Sequence, residues 1–182
     1  MASFLRNSFL ISGLLIVFVF ASCTAAKPPS IDTLKELGMQ SMPGDREVPN
    51  ISFTELDGTH VSLEDYRGSV VLLNFWASWC PPCRAEMPSM GRLAEELKGG
   101  DFIMIPINVQ EPPALVRAFL EEYEVDFPVY LDEQAEAARA MGVNGLPTTV
   151  LIDRNGNAAA LAVGALEWDD KAVIEMFKDW VR

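Results

Sequence analysis

Histidine and cysteine are scarce in this chain of 182 residues: His60 is the single histidine, and Cys23, Cys80 and Cys83 are the only cysteines. A closed zinc site needs four ligands of these kinds, and no histidine follows His60 to join Cys80 and Cys83 from downstream. Basic residues are also few. Fourteen Lys and Arg face 26 Asp and Glu, giving a formal charge of −12 and a pI near 4.4. That balance argues against nucleic acid, which attracts clustered Lys and Arg, and marks an acidic, soluble surface. Internal repeats and low-complexity tracts are absent. No apolar run reaches the roughly 20 residues that a spanning helix needs, since Arg6 and Lys27 bracket a shorter one.

What is present is ordinary globular material, 49% hydrophobic and 22% charged, enough for one domain and an extension. Residues 1–22 carry Arg6, an apolar stretch from Phe9 to Ala21 and small residues before Cys23, the outline of a secretory signal. Phe20-Ala21-Ser22-Cys23 resembles a bacterial lipoprotein cleavage site, with Phe20 where leucine is usual. The resemblance implies that Cys23 becomes the lipidated first residue; the competing reading is a differently processed signal with Cys23 incidental. Residues 23–48, with Pro28-Pro29 and Pro43-Gly44, read as a tether in which Ile31 to Leu37 either forms a short helix or stays disordered. The domain proper is expected over residues 49–182.

The organising stretch is Asn74-Phe-Trp-Ala-Ser-Trp-Cys-Pro-Pro-Cys83, directly behind the run Val70-Val71-Leu72-Leu73. Apolar residues without alternation predict a strand covered on both faces. After it, Met87, Met90, Leu93, Ala94 and Leu97 recur at helical spacing and Gly99-Gly100 stops the pattern. Cys80 thus caps a helix, and Pro81 takes the first helical position, where its missing N–H costs nothing. Helix N-termini present unpaired N–H groups and a positive dipole end, which stabilise a thiolate. Cys83, three residues on, lies within disulfide reach. Reversible oxidation of the pair follows: Cys80 attacks a partner disulfide and Cys83 displaces it. A static disulfide or half a zinc site uses the same spacing, but zinc would have to recruit His60 or Cys23.

Phe75-Trp-Ala-Ser-Trp-Cys-Pro-Pro-Cys-Arg-Ala-Glu-Met-Pro88 resembles the thioredoxin superfamily, within it the TlpA/ResA-like thiol-disulfide oxidoreductases of bacterial envelopes. Leu56-Asp-Gly58, Leu63 and Gly145-Leu-Pro-Thr-Thr149 extend the likeness from about Pro49 to the C-terminus. The resemblance implies an α/β thioredoxin-like fold with an N-terminal β-hairpin extension and a central helix-strand insert. It also implies that Pro147 is cis and faces the cysteines, and that Glu86 moves protons. Thioredoxins use a buried aspartate on the preceding strand for that task, and the matching residue here is Asn74. Trp76, Trp79, Pro81, Pro82, Leu146 and Pro147 form the expected docking surface. Expected partners are disulfide-containing exported proteins, apocytochromes c among them, an upstream thiol donor in the membrane, and the membrane itself through lipid on Cys23. No cofactor and no metal are expected.

Local patterns fill in the remainder. Ile51 to Leu56 alternates, Asp57-Gly58 turns, and His60 to Leu63 pairs back as a hairpin that leaves His60 exposed. Phe102 to Val109 predicts a strand in which Pro106 requires an edge, a bulge or an early end. Pro112 to Tyr123 reads as a helix with Leu115, Phe119 and Leu120 inward, Phe127 to Leu131 as a strand, and Gln134 to Met141 as a short helix. Thr148 to Ile152 and Ala158 to Val163 form an antiparallel pair around Arg154-Asn-Gly156, and Trp168 to Val181 closes the domain. Pro81-Pro82 supplies no cation between the cysteines, which favours a reductant over a strong oxidant. Two other classes remain open. A peroxiredoxin-type peroxidase places a threonine where Ala77 stands, and copper carriers add a downstream histidine that this chain lacks.

Overall fold

The computed structural model describes residues 27–42 and 45–182. The signal, Cys23 and the Pro43-Gly44 pair lie outside the described residues. Elements run in the order α1 (Ile31–Glu36), β1 (Gln40–Ser41), β2 (Ser52–Glu55), β3 (His60–Ser62), a 3-10 turn (Leu63–Tyr66), β4 (Val70–Trp76), α2 (Pro81–Glu96) and β5 (Phe102–Val109). There follow α3 (Pro113–Glu122), β6 (Tyr130–Asp132), α4 (Glu136–Ala140), β7 (Thr148–Ile152), β8 (Ala158–Val163) and α5 (Lys171–Trp180). Among the described residues, no helix is long and apolar enough to cross a membrane.

The strands form one sheet in the order β1-β8-β7-β4-β5-β6-β2-β3. β4 is parallel to β5 and antiparallel to β7, so it is central, and all seven of its residues are buried. Strand alternation splits them between two cores. Val70 and Leu72 pack with Met90 and Leu93 of α2 and Phe177 and Trp180 of α5. Val71, Leu73 and Phe75 pack on the other face with Ile51, Phe53 and the α4 alanines Ala137 and Ala138. The parity that puts Leu72 under α2 also places Asn74 and Trp76 there, which builds the site described below.

The hairpin and the insert meet. β2 pairs with β3 through Phe53 and Val61 and with β6 through Thr54 and Leu131, extending the sheet beyond β5. Pro106 is opposite Asn74 of β4, while β6 joins β5 only from Ile107 onward. The proline therefore sits where β5 has a single neighbour, the edge-like setting in which a missing donor is tolerated.

Three readings differ from expectation, two of them boundaries. Residues 31–41, read as tether, pack on the domain: Ser30 caps α1 by accepting from the Thr33 amide at 3.1 Å, and β1 pairs with β8. Leu34 and Met39 are buried in the α2–α5 core, each contributing roughly 2 kcal/mol of apolar transfer. In α3 the inward stripe is Val116, Phe119 and Leu120, with Leu115 49% exposed; it stands about 100° around the helix from Val116. Trp168 precedes α5, whose cap is Asp170, accepting from the Ala172 amide at 2.8 Å. Trp168 is fully buried.

Candidate active site

Strand β4 ends at Trp76, and the turn Ala77 to Cys80 closes with the Cys80 amide donating to the Ala77 carbonyl at 3.1 Å. Cys80 then caps α2 in extended conformation (φ −88°, ψ 106°), with Pro81 next. Cys80 and Cys83 are joined as a disulfide with Cα atoms 5.3 Å apart, and the Cys83 amide donates to Cys80 Sγ at 3.3 Å. One free amide of the helix start is therefore aimed at the sulfur, the arrangement that favours a thiolate once the bond is reduced. In the oxidised state both residues are covered, Cys80 at 3% exposure and Cys83 at 0%. Cys80 is the outer of the two, with little of it open to solvent while the disulfide is closed.

The rim around the cysteines is apolar. Trp79 is 67% exposed, and Pro81 and Pro82 are exposed beside it. Leu146 is half-buried against the cluster that holds Cys80 and Cys83. The Leu146–Pro147 peptide is cis. Pro147 is itself buried; Phe75 pairs with Thr148, so one further step of that register puts Pro147 beside Trp76. The Pro147 carbonyl accepts from the Gly164 amide at 2.9 Å, and Thr148 Oγ1 donates to the Gly145 carbonyl at 2.8 Å. Trp76 departs from expectation. It is completely buried and packs on Phe119 at 5.2 Å between ring centres, so it forms the floor under the cysteines rather than a docking surface. Its place as the last inward residue of β4 leaves it no route to solvent.

Glu86 lies one helical turn beyond Cys83 on the same face of α2 and is 1% exposed. Its Oε1 accepts from Asn74 Nδ2 at 2.9 Å; its Oε2 accepts from Trp168 Nε1 at 3.0 Å and from the Leu166 amide at 3.2 Å. Asn74 also donates to Thr149 Oγ1 at 2.9 Å, tying β4, β7 and α2 together. Burial pushes the Glu86 carboxyl above its ordinary value of 4.5, against the lowering pull of the Trp168, Asn74 and Leu166 donors. A carboxyl held in this way carries a proton more readily than an exposed one. His60 is exposed on β3, apart from this cluster.

A second buried carboxylate, absent from the sequence reading, is Glu111 in the loop after β5. It is 4% exposed. Its oxygens accept from the Ser78 amide at 2.6 Å, Ser78 Oγ at 2.5 Å and Asn108 Nδ2 at 2.7 Å. Trp168 and Ser89 complete the other carboxylate's surroundings. Ser89 Oγ donates to the Glu86 carbonyl at 2.7 Å and accepts from the Trp168 amide at 3.1 Å, fixing the indole that reaches Glu86. An acidic residue in a loop and a tryptophan before a helix carry no periodicity, so no sequence signal marked either.

Comparison with known proteins agrees with this geometry. The family model described as Redoxin matches residues 42–176. The chain is 38% identical over 122 residues to the thiol-disulfide oxidoreductase ResA of Geobacillus thermodenitrificans, covering 67% of this chain and 70% of that protein. The ResA of Geobacillus kaustophilus is 39% identical over 122 residues, with the same 67% and 70% coverage. Among solved structures, a thiol:disulfide interchange protein DsbE from Chlorobium tepidum superposes with a TM-score of 0.69 at 32% identity. That match covers 78% of this chain and 100% of the other.

Proposed function

The chain belongs to the Redoxin family and is a ResA-like thiol-disulfide oxidoreductase of the thioredoxin superfamily, and from that premise we propose that it reduces disulfides of exported proteins. The observation that carries this reading is the Cys80–Cys83 disulfide at the first turn of α2, ringed by exposed Trp79, Pro81 and Pro82.

In the reduced protein the Cys80 thiolate attacks one sulfur of a client disulfide. The client's other sulfur leaves as a thiolate and takes up a proton, and a mixed disulfide remains. Cys83 then loses its proton, attacks Cys80 Sγ and re-forms the internal disulfide; the client's second sulfur leaves as a thiolate and takes up a proton from solvent, releasing the dithiol client. Two electrons pass from this chain to the client, and an upstream thiol donor in the membrane returns them. Glu86, one turn from Cys83, accepts the Cys83 proton in the second step. Trp79, Pro81, Pro82 and Leu146 supply apolar contact to the client chain, and Pro147 shapes the wall opposite. Among the described residues, no backbone hydrogen bond occupies the N–H or C=O of Leu146, which leaves both groups free to pair with an extended client. Pro81-Pro82 places no cation against the Cys80 sulfur, so the reduced form lacks the stabilisation on which strong oxidants depend.

We place the protein in the bacterial envelope, exported by residues 1–22 and held by lipid on Cys23, with the domain on the extracytoplasmic side. Apocytochrome c is the client class to test first. The direct experiment gives the purified full chain insulin as substrate with a small dithiol as donor, alongside peroxide consumption and copper retention. Insulin reduction that depends on both cysteines is the expected outcome. Peroxide turnover without it would replace this reading with a peroxidase, and retained copper with a metal carrier.

For Glu86→Gln the expected result is a mixed disulfide that resolves at least ~10-fold more slowly, within the range of general acid–base effects, while the initial attack by Cys80 is preserved. Resolution at the wild-type rate would take Glu86 out of the mechanism. The same variant gives a pH test. Because the folded carboxyl titrates above its unfolded value, the folded state holds more protons between the two values, and stability falls as pH rises through the window above 4.5. The Gln variant lacks that decline, and denaturant midpoints measured across the window should diverge accordingly.

A further inference from the structure

We propose that Glu111 is a positioning residue for the attacking sulfur, acting through Ser78. It rests on Cys80 being the attacking thiol. The turn after β5 is bent by Gln110, a non-glycine residue in the left-handed region (φ 62°), whose amide donates to the Asp132 carbonyl at 3.1 Å. This bend returns the chain so that Glu111, buried, meets the β4–α2 turn. Its carboxylate holds Ser78 at two points, the amide at 2.6 Å and Oγ at 2.5 Å, and is steadied by Asn108 Nδ2 at 2.7 Å. Asn108 stands at the end of β5 opposite Trp76 at the end of β4, so the clamp is anchored to the same rung of the sheet that starts the turn.

Ser78 is the second residue of the turn that closes between Ala77 and Cys80. Fixing both its N–H and its side chain leaves little freedom in where Trp79 and Cys80 are delivered. Trp79 is sent outward, at 67% exposure, and Cys80 is set as the cap with its sulfur on the Cys83 amide. The three donors to Glu111 are all neutral, so geometry rather than pairing of charges holds the carboxylate. A buried carboxylate is costly to retain where no cation faces it. A role in aligning the sulfur accounts for its presence.

The variants Glu111→Ala, Glu111→Gln and Ser78→Ala test this, read by the pH profile of Cys80 alkylation in the reduced chain and by kcat/KM for insulin reduction. Glu111→Ala frees Ser78 at both points. Its kcat/KM should fall about 10- to 100-fold, the scale of a small misplacement of a reacting group, with the alkylation profile displaced. Glu111→Gln should restore most of the loss. Its carbonyl still accepts from the Ser78 and Asn108 N–H groups, and its amide donates to a reversed Ser78 hydroxyl. Ser78→Ala, which keeps the backbone bond alone, should fall between. Leu34→Ala, in the α1 contact with the core, serves as the control for lost stability.

Wild-type alkylation and exchange in Glu111→Ala would overturn the proposal, as would losses no larger than those of Leu34→Ala at matched stability. If Glu111→Ala does not fold, Ser78→Ala carries the test, and wild-type behaviour there overturns it. A wild-type chain inactive on insulin, whose Cys80 profile still shifts in Glu111→Ala, would support the positioning role while refuting the reductase reading.

Discussion

Cys80→Ser is expected to abolish disulfide exchange, lowering the rate by roughly 10³-fold or more because the reacting sulfur itself is lost. Cys83→Ser should behave differently. The attack on a client survives, but the step that releases Cys80 from the mixed disulfide has no nucleophile, so clients accumulate on Cys80. In cells this variant should carry exported proteins as covalent adducts that a reductant removes, and their identity would define the client class. The asymmetry follows from position: Cys80 is the cap of α2 and receives the Cys83 amide, whereas Cys83 is wholly enclosed within the first turn. Adducts collecting on Cys83 in a Cys80→Ser protein, and none on Cys80 in the reverse variant, would exchange the two roles. Equal activity of both single variants would remove the two-step mechanism.

How much of this could be read beforehand depends on whether a feature leaves a periodic or punctuated trace in the chain. Strand β4 and helix α2 were legible because Val70 to Leu73 forms an unbroken apolar run and Met87, Met90, Leu93 and Leu97 keep helical spacing. Both patterns are imposed by burial alone. The hairpin was legible from Asp57-Gly58, the insert and the position of Pro147 from resemblance. Three features were not. Trp76 looked like a docking residue because a tryptophan near a cysteine pair suits that task, but strand parity turns it inward, and parity is known only once the faces of β4 are assigned. Leu34 and Met39 looked like parts of a tether because two apolar residues among prolines give no period. Their burial depends on a core assembled from β4, α2, β8 and α5, residues far away in sequence. Glu111 and Trp168 make their contacts across 33 and 82 residues, a separation at which local pattern is silent.

The two buried carboxylates divide the site. Glu86 lies beyond Cys83 along α2, bonded to β4 through Asn74 and to the segment before α5 through Trp168 and Leu166. Glu111 is held at the turn before Cys80 by Ser78 and Asn108. On the proposed mechanism, one therefore stands by the sulfur that loses a proton late, the other by the turn that presents the sulfur attacking first. Neither accepts from a cation, so each depends on a full set of neutral donors, and removing any donor changes the carboxyl it serves.

Trp168 is where that dependence should be most costly. The side chain is fully buried among Leu72, Met90, Leu93 and Phe177, and truncating a buried tryptophan to alanine costs about 3–5 kcal/mol in this kind of setting. For a domain of this size, Trp168→Ala should lower the melting temperature by roughly 10 °C. Trp168→Phe separates the indole N–H from the packing. It retains most of the apolar contact but takes one of two donors from Glu86 Oε2, leaving the Leu166 amide, at a cost of about 1–3 kcal/mol. The Trp168 bond lowers the Glu86 carboxyl, so its loss lets burial push that group higher still. The window over which stability falls with rising pH then widens upward, and denaturant midpoints of Trp168→Phe should drop more steeply than wild type above pH 4.5. In the double variant with Glu86→Gln the steepening should vanish. A Trp168→Ala protein melting within about 2 °C of wild type would show that the indole is not the keystone of this corner. A Trp168→Phe protein with the wild-type pH slope would show that its N–H does not govern Glu86.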